Sequence, residues 1–142
     1  MTEIYFYSDA IDKLQVTCKL CVKAVGQGAR LIVYTQDKQM LEKLDMLLWT
    51  FQQTSFLPHC FINDETAIVR GTPVVLSDRV VRDQGYTMLL NLHGECPADL
   101  ESFQRVIEIA SQSPDDKASA RTRYRNYQQA GYTVQHYKLD NR

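Results

Sequence analysis

Short apolar runs alternate along this chain with longer stretches of helical periodicity. Ile4-Tyr5-Phe6-Tyr7 is β-branched and aromatic, which predicts a strand. Ser8 and Asp9 are both suitable N-caps for the segment that follows. There Leu14, Cys18, Cys21, Val22 and Val25 recur as one apolar stripe, and Gly26 and Gly28 mark its end. Leu31-Ile32-Val33-Tyr34 predicts a second, buried strand. A strand, a helix and a strand in that order imply two parallel strands with a right-handed crossover.

The alternation continues. Asp37 opens a second helix whose stripe is Met40, Leu41, Leu44, Leu47, Leu48 and Phe51. His59 to Ile62, Val74-Val75-Leu76 and Met88 to Leu92 predict three more strands, with a polar loop from Asn63 to Thr72. Val106-Ile107-Glu108-Ile109 fits a strand or the end of a short helix starting near Pro97. Ser113-Pro114-Asp115-Asp116 is a strong helix start, with a capping Ser, Pro in the first turn and acids at the positive end. That helix should run to Gly131, and Thr133 to Tyr137 alternates as a last strand. The expected fold class is α/β: a mostly parallel or mixed sheet flanked by helices, nucleotide-binding-like in topology.

Composition narrows the function without choosing it. At 142 residues the chain should form a single domain over 1–142. With 44% apolar and 23% charged residues it has the make-up of an ordinary globular protein. No apolar run approaches the roughly 20 residues of a membrane span. The opening MTEIYFYSDA has an acid where a secretory signal would be basic, so a cytoplasmic protein with reduced thiols is expected. A net charge of −1 argues against a general nucleic-acid binder, so any anion site must come from local clustering.

Several motifs look chemical and are better read otherwise. A phosphate loop needs glycines between a strand and a helix N-terminus. Here that turn is Tyr7-Ser8-Asp9-Ala10, and Gly26-Gln27-Gly28 ends a helix instead. The topology is therefore expected without the nucleotide site. Cys18-x-x-Cys21 lies inside a helix on its apolar stripe, which favours buried thiols over a redox pair or zinc ligands. His93-x-x-Cys96 is too far along the chain to complete a zinc ribbon. His59-Cys60 would point to opposite faces of a strand. No catalytic constellation, cofactor site or metal site is expected.

Two other segments are more informative. At about 100° per residue, Trp49 points away from the Leu44/Leu48 stripe, and Phe56 and Leu57 follow in a polar segment. An outward tryptophan beside a loop phenylalanine has the make-up of a protein–protein hot spot, unless another element covers it. Lys117, Arg121, Arg123 and Arg125 place four cations and no acid in nine residues. Ala120, Tyr124, Tyr127 and Gly131 make the stripe beside them. Cations next to aromatics suit a ligand that is both anionic and apolar, such as an acidic peptide ending in an aromatic residue with a free carboxylate. A phosphate backbone or a merely solvated helix face also fits.

At these residues the chain resembles the chi subunit family of bacterial DNA polymerase III. One block is Arg30-Leu-Ile-Val-Tyr followed by Leu41-x-x-Leu44-Asp45-x-x-Leu48-Trp49-Thr50 and Ser55-Phe56-Leu57-Pro58-His59. The other is Ala120-Arg121-x-Arg123-Tyr124-Arg125-x-Tyr127-x-x-Ala130-Gly131-Tyr132. The stretch from Asn63 to Ser113 carries little of the pattern. The resemblance implies a non-catalytic replisome adaptor without a cofactor. It implies two partners: the acidic, Phe-ending tail of the single-stranded-DNA-binding protein, and the psi subunit that tethers it to the clamp loader. It assigns Lys117, Arg121 and Tyr124 to the tail; Arg123 and Arg125, about 100° to either side of Tyr124 on the helix, are expected to steer the acidic stretch. It assigns Trp49 and Phe56, with the adjoining Leu57, to psi. On the residues alone, a small enzyme, a direct single-stranded nucleic-acid binder through 117–125 and a structural zinc protein stay open.

Overall fold

The computed structural model describes residues 2–51, 57–82 and 84–139. Its strands are β1 (Glu3–Ala10), β2 (Leu31–Tyr34), β3 (His59–Phe61), β4 (Val74–Ser77), β5 (Met88–Asn91), β6 (Arg105–Ser111) and β7 (Thr133–Lys138). They form one sheet in the order β3-β4-β2-β5-β6-β1-β7, and every described pair is parallel. Helices α1 (Lys13–Gly26), α2 (Lys38–Thr50), α3 (Thr66–Gly71) and α4 (Pro114–Gln129) supply crossovers. The α/β expectation holds, and the sheet is the parallel alternative.

Side-chain alternation divides the core between the two faces of the sheet. On one face Leu31, Val33, Leu76, Leu90 and Ile109 pack with Cys18 and Cys21 of α1 and Leu41, Leu44 and Leu48 of α2. On the other, Ile4, Phe6, Ile32, Leu89 and Val106 pack with Ala120 and Tyr127 of α4. The central strands β2, β4 and β5 are buried at all their positions, which explains their unbroken apolar runs.

Three local expectations are corrected. The strand β1 runs on through Ser8 and Asp9, so neither caps α1; Asp12 does, accepting from the Gln15 N–H at 3.2 Å. The segment from Asn63 to Thr72 holds α3, six residues with no side-chain cap and no buried residue, so its sequence carries no stripe. For Val106–Ile109 the strand alternative holds, as β6, and in place of a short helix from Pro97 running into it there is a 3₁₀ turn at Leu100–Ser102.

What positions the site is the junction of β1 and β6. These strands are neighbours, yet the chain leaves β1 into α1 on one face and β6 into α4 on the other. In open α/β sheets such a divergence leaves a crevice at the carboxyl ends of the strands. The β1–β6 register also slips between Tyr7 and Ala10, with Asp9 in the left-handed region at φ 69°. Aspartate tolerates that conformation better than most residues.

Asp116, in the first turn of α4, latches the junction. Its carboxylate accepts from the Ser111 N–H at 2.6 Å and pairs with Lys13 Nζ of α1 at 3.2 Å. Burial pushes this carboxyl up, but the Ser111 hydrogen bond and the Lys13 charge outweigh it and hold it below its ordinary value. A carboxyl lowered on folding stabilises above the ordinary carboxylate range, and that contribution is lost as pH falls through it. Asp116→Asn is therefore expected to be less stable than wild type in urea at neutral pH. The gap should begin to narrow as pH falls to the ordinary carboxylate value and close only below the lowered folded-state value.

Candidate functional site

The crevice has a volume of about 380 Å³ and is lined by Phe6, Ser8, Asp9, Ala110, Lys117, Ala120, Arg121, Tyr124, His136 and Lys138. Phe6 and Ala110 come from β1 and β6 and, with Ala120, make an apolar floor. The Tyr124 ring leans on Phe6 with centroids 5.3 Å apart and meets the edge of His136 at 6.4 Å. Lys117, Arg121 and Lys138 supply the cations.

Local periodicity explains the arrangement. Lys117, Arg121 and Tyr124 stand at i, i+4 and i+7 of α4, one flank of a helix. His136 and Lys138 alternate on β7 and so share a face. The His136 Nε2 is 2.6 Å from Ser8 Oγ, and Lys138 Nζ is 3.9 Å from Asp9 Oδ2. Sequence reasoning missed Ser8, Asp9, His136 and Lys138 as site residues. They converge because β7 pairs with β1, Ser8 opposite Lys138, a contact between the two ends of the chain.

The structure corrects Arg123. It was expected among the outward cations, yet it is 2% exposed and faces the sheet beside Ala120 and Tyr127. Its Nε donates to Glu108 Oε1 at 3.0 Å, and Glu108 on β6 is itself wholly buried. Asn91 Nδ2 and the Tyr127 hydroxyl donate to Glu108 Oε2 at 2.7 and 2.5 Å. Arg123 Nη1 donates to Ser119 Oγ at 2.6 Å. Burial pushes the Glu108 carboxyl up, while the Arg123 charge pulls it back. Arg123 therefore anchors α4 to the sheet and is unavailable to a ligand. Arg125 is exposed on α4 but does not line the crevice.

The second expected surface is partly in view. Trp49 is 58% exposed near the end of α2, with Met46 also exposed one turn before it. The indole meets the His59 ring edge-on at 5.2 Å. Leu57 is half-buried and packs on the core. Phe56 lies outside the described residues.

The cysteines behave as core. Cys18 and Cys21 are fully buried in the α1 cluster. Burial, then the Asp12 charge, pushes the Cys18 thiol up to about 11, and burial raises Cys21 further. Such thiols are inert at neutral pH. Among the described residues no three His, Cys, Asp or Glu side chains gather as metal ligands would. The N-terminus of α1, where such folds hold phosphate, is occupied by the Asp12 carboxylate.

An apolar floor with a cationic rim is chemically suited to an anion that carries an apolar group. Comparison with known proteins gives this geometry a context. The protein-family profile described as DNA polymerase III chi subunit, HolC, matches residues 1–135. The DNA polymerase III subunit chi of Pseudomonas aeruginosa is 31% identical, over 98% of both chains. Those of Haemophilus influenzae and Escherichia coli are each 24% identical over 84% of this chain, covering 83% and 81% of theirs. Among solved structures, the C-terminal domain of a Sulfolobus solfataricus SWI2/SNF2 ATPase overlays at a TM-score of 0.46 and 14% identity. It covers 79% of this chain and 57% of that one, too loose a likeness to inform function.

Proposed function

This chain belongs to the DNA polymerase III chi subunit family, accessory subunits of the replisome, and on that premise we propose that it is a non-catalytic adaptor. Its crevice binds the acidic C-terminal tail of the single-stranded-DNA-binding protein, and its Trp49 surface docks the psi subunit of the clamp loader. It acts without a cofactor, in the bacterial cytoplasm. The observation that carries this reading is the convergence of Lys117, Arg121 and Tyr124 on one crevice with an apolar floor.

The division of labour follows from chemistry. The Arg121 guanidinium matches a terminal carboxylate bidentately, and Lys117 adds a less directional charge one turn earlier. Tyr124 and Phe6 form the wall and floor for the terminal aromatic ring. Arg125, exposed beside the crevice, steers the acidic stretch on approach. Lys138 extends the cationic rim from β7. The alternative is direct single-stranded DNA binding, for which burial of Arg123 leaves Lys117, Arg121 and Arg125 of the 117–125 cluster.

The test is fluorescence anisotropy with a labelled acidic peptide ending in Phe, as the free acid and as the C-terminal amide. The free acid should bind at least roughly tenfold more tightly, the scale of a charge-assisted hydrogen bond. Equal affinities would contradict a carboxylate site. Tighter binding of single-stranded DNA, with a steep salt dependence, would favour the alternative.

A further inference from the structure

Two polar residues stand beside Trp49: Asp45 on α2 and His59, whose ring the indole meets. Asp45 stands one turn before Trp49 on α2, so both side chains rise over the same patch. His59 opens β3, and its side chain has no solvent exposure at all. Its Nε2 lies 3.0 Å from Asp45 Oδ1, and its Nδ1 lies 2.8 Å from the Leu57 carbonyl oxygen. In the tautomer with its proton on Nε2 the ring donates to Asp45 Oδ1, which fixes its position; donating to both oxygens at once takes the protonated ring. The Trp49 indole then rests on this ring edge-to-face, centroids 5.2 Å apart at 69°.

This arrangement solves a problem that an exposed tryptophan poses. A side chain 58% exposed leaves much of its surface clear of the core. If it moved freely over its two side-chain torsions, ordering it on binding would cost affinity. A hot-spot aromatic that is already held in its bound orientation avoids that cost. The Asp45–His59 hydrogen bond also ties α2 to β3 across the segment that joins them.

We infer that Asp45 and His59 are positioning residues: Asp45 holds the His59 ring, and the ring holds Trp49 in its docking orientation. The inference rests on reading the Trp49 surface as the psi dock. Its closing experiment separates the two.

Trp49 is the single tryptophan of the chain, so its fluorescence reports this patch alone. Asp45→Ala removes the acceptor, whereas Asp45→Asn keeps an oxygen in its place. Each variant is measured for acrylamide quenching of Trp49 in the free protein and for affinity to purified psi. Asp45→Ala should raise quenching and weaken psi binding roughly fivefold, the scale of one net hydrogen bond. Asp45→Asn should restore both. Unchanged quenching in Asp45→Ala overturns the inference, as does an Asp45→Asn that loses as much as Asp45→Ala. A variant that fails to fold also overturns it, because the pair then holds the fold and not the ring. Wild-type psi affinity in Trp49→Ala would overturn the docking reading instead, leaving the quenching result to decide the brace.

Discussion

Replacing Arg123 with alanine is expected to cost about 3–5 kcal/mol of folding stability, the usual penalty for removing one partner of a buried ion pair. The geometry sets this variant apart from any other in the basic segment. Glu108 is wholly buried, and Arg123 is the cation that neutralises it, at 3.0 Å. Asn91 and Tyr127 also donate to the carboxylate, but neither carries a charge. Loss of the guanidinium leaves a carboxyl that must stay charged in an apolar interior or take up a proton. Urea or thermal unfolding checks this, with a fall in melting temperature on the order of 10 °C for a chain of this size. Replacing Glu108 and Arg123 together with methionine removes the unpaired charge but leaves the Tyr127 hydroxyl without its Glu108 acceptor, so only part of the loss should be recovered. An Arg123→Ala protein as stable as wild type would show that the pair contributes nothing.

Arg123 also shows where the sequence stopped being readable. On helical spacing, Ala120, Tyr124 and Tyr127 and Ala120, Arg123 and Tyr127 are equally good buried stripes. An arginine in a basic run is read outward by default. The signal that decides between them is on another element. Glu108 interrupts the apolar run Val106-Ile107-x-Ile109, and a charged residue there needs a partner. Which partner it has depends on α4 lying over β6, a tertiary fact.

The elements with strong periodicity were legible. The α2 stripe placed Leu44 and Leu48 inside and Trp49 outside, as found. The Pro-Asp-Asp start of α4 and Gly131 at its end, with φ 91°, also stand as read, but Ser113 sits at the N-cap position without making a side-chain cap hydrogen bond. The helix α3 gave no such signal, because it buries nothing. The alternative of a mixed sheet fell to pairings that only the assembled fold supplies. Half of the crevice was invisible for the same reason. Lys117, Arg121 and Tyr124 are close in sequence and announce one another. Ser8, Asp9, His136 and Lys138 meet them only through the parallel pairing of the first strand with the last.

The largest functional effect is expected at Arg121. Of the crevice-lining cations it is the one with a bidentate donor group, and it stands one turn before Tyr124 on α4. Arg121→Ala should weaken an acidic, Phe-ending peptide tenfold or more, on the order of 1.5–3 kcal/mol for hydrogen bonds to a charged group. Its side chain is exposed, so stability should be nearly unchanged. Arg125, equally basic and equally exposed, lies outside the lining and serves as the control. Arg125→Ala should cost affinity only at low salt, as expected of a charge that steers and does not hold. The decisive measurement is calorimetric titration of that peptide into wild type, Arg121→Ala and Arg125→Ala at moderate salt. A saturable wild-type site, lost in Arg121→Ala and kept in Arg125→Ala, is the predicted result. Equal losses in the two variants, or no binding by the wild type, would contradict a tail-binding crevice.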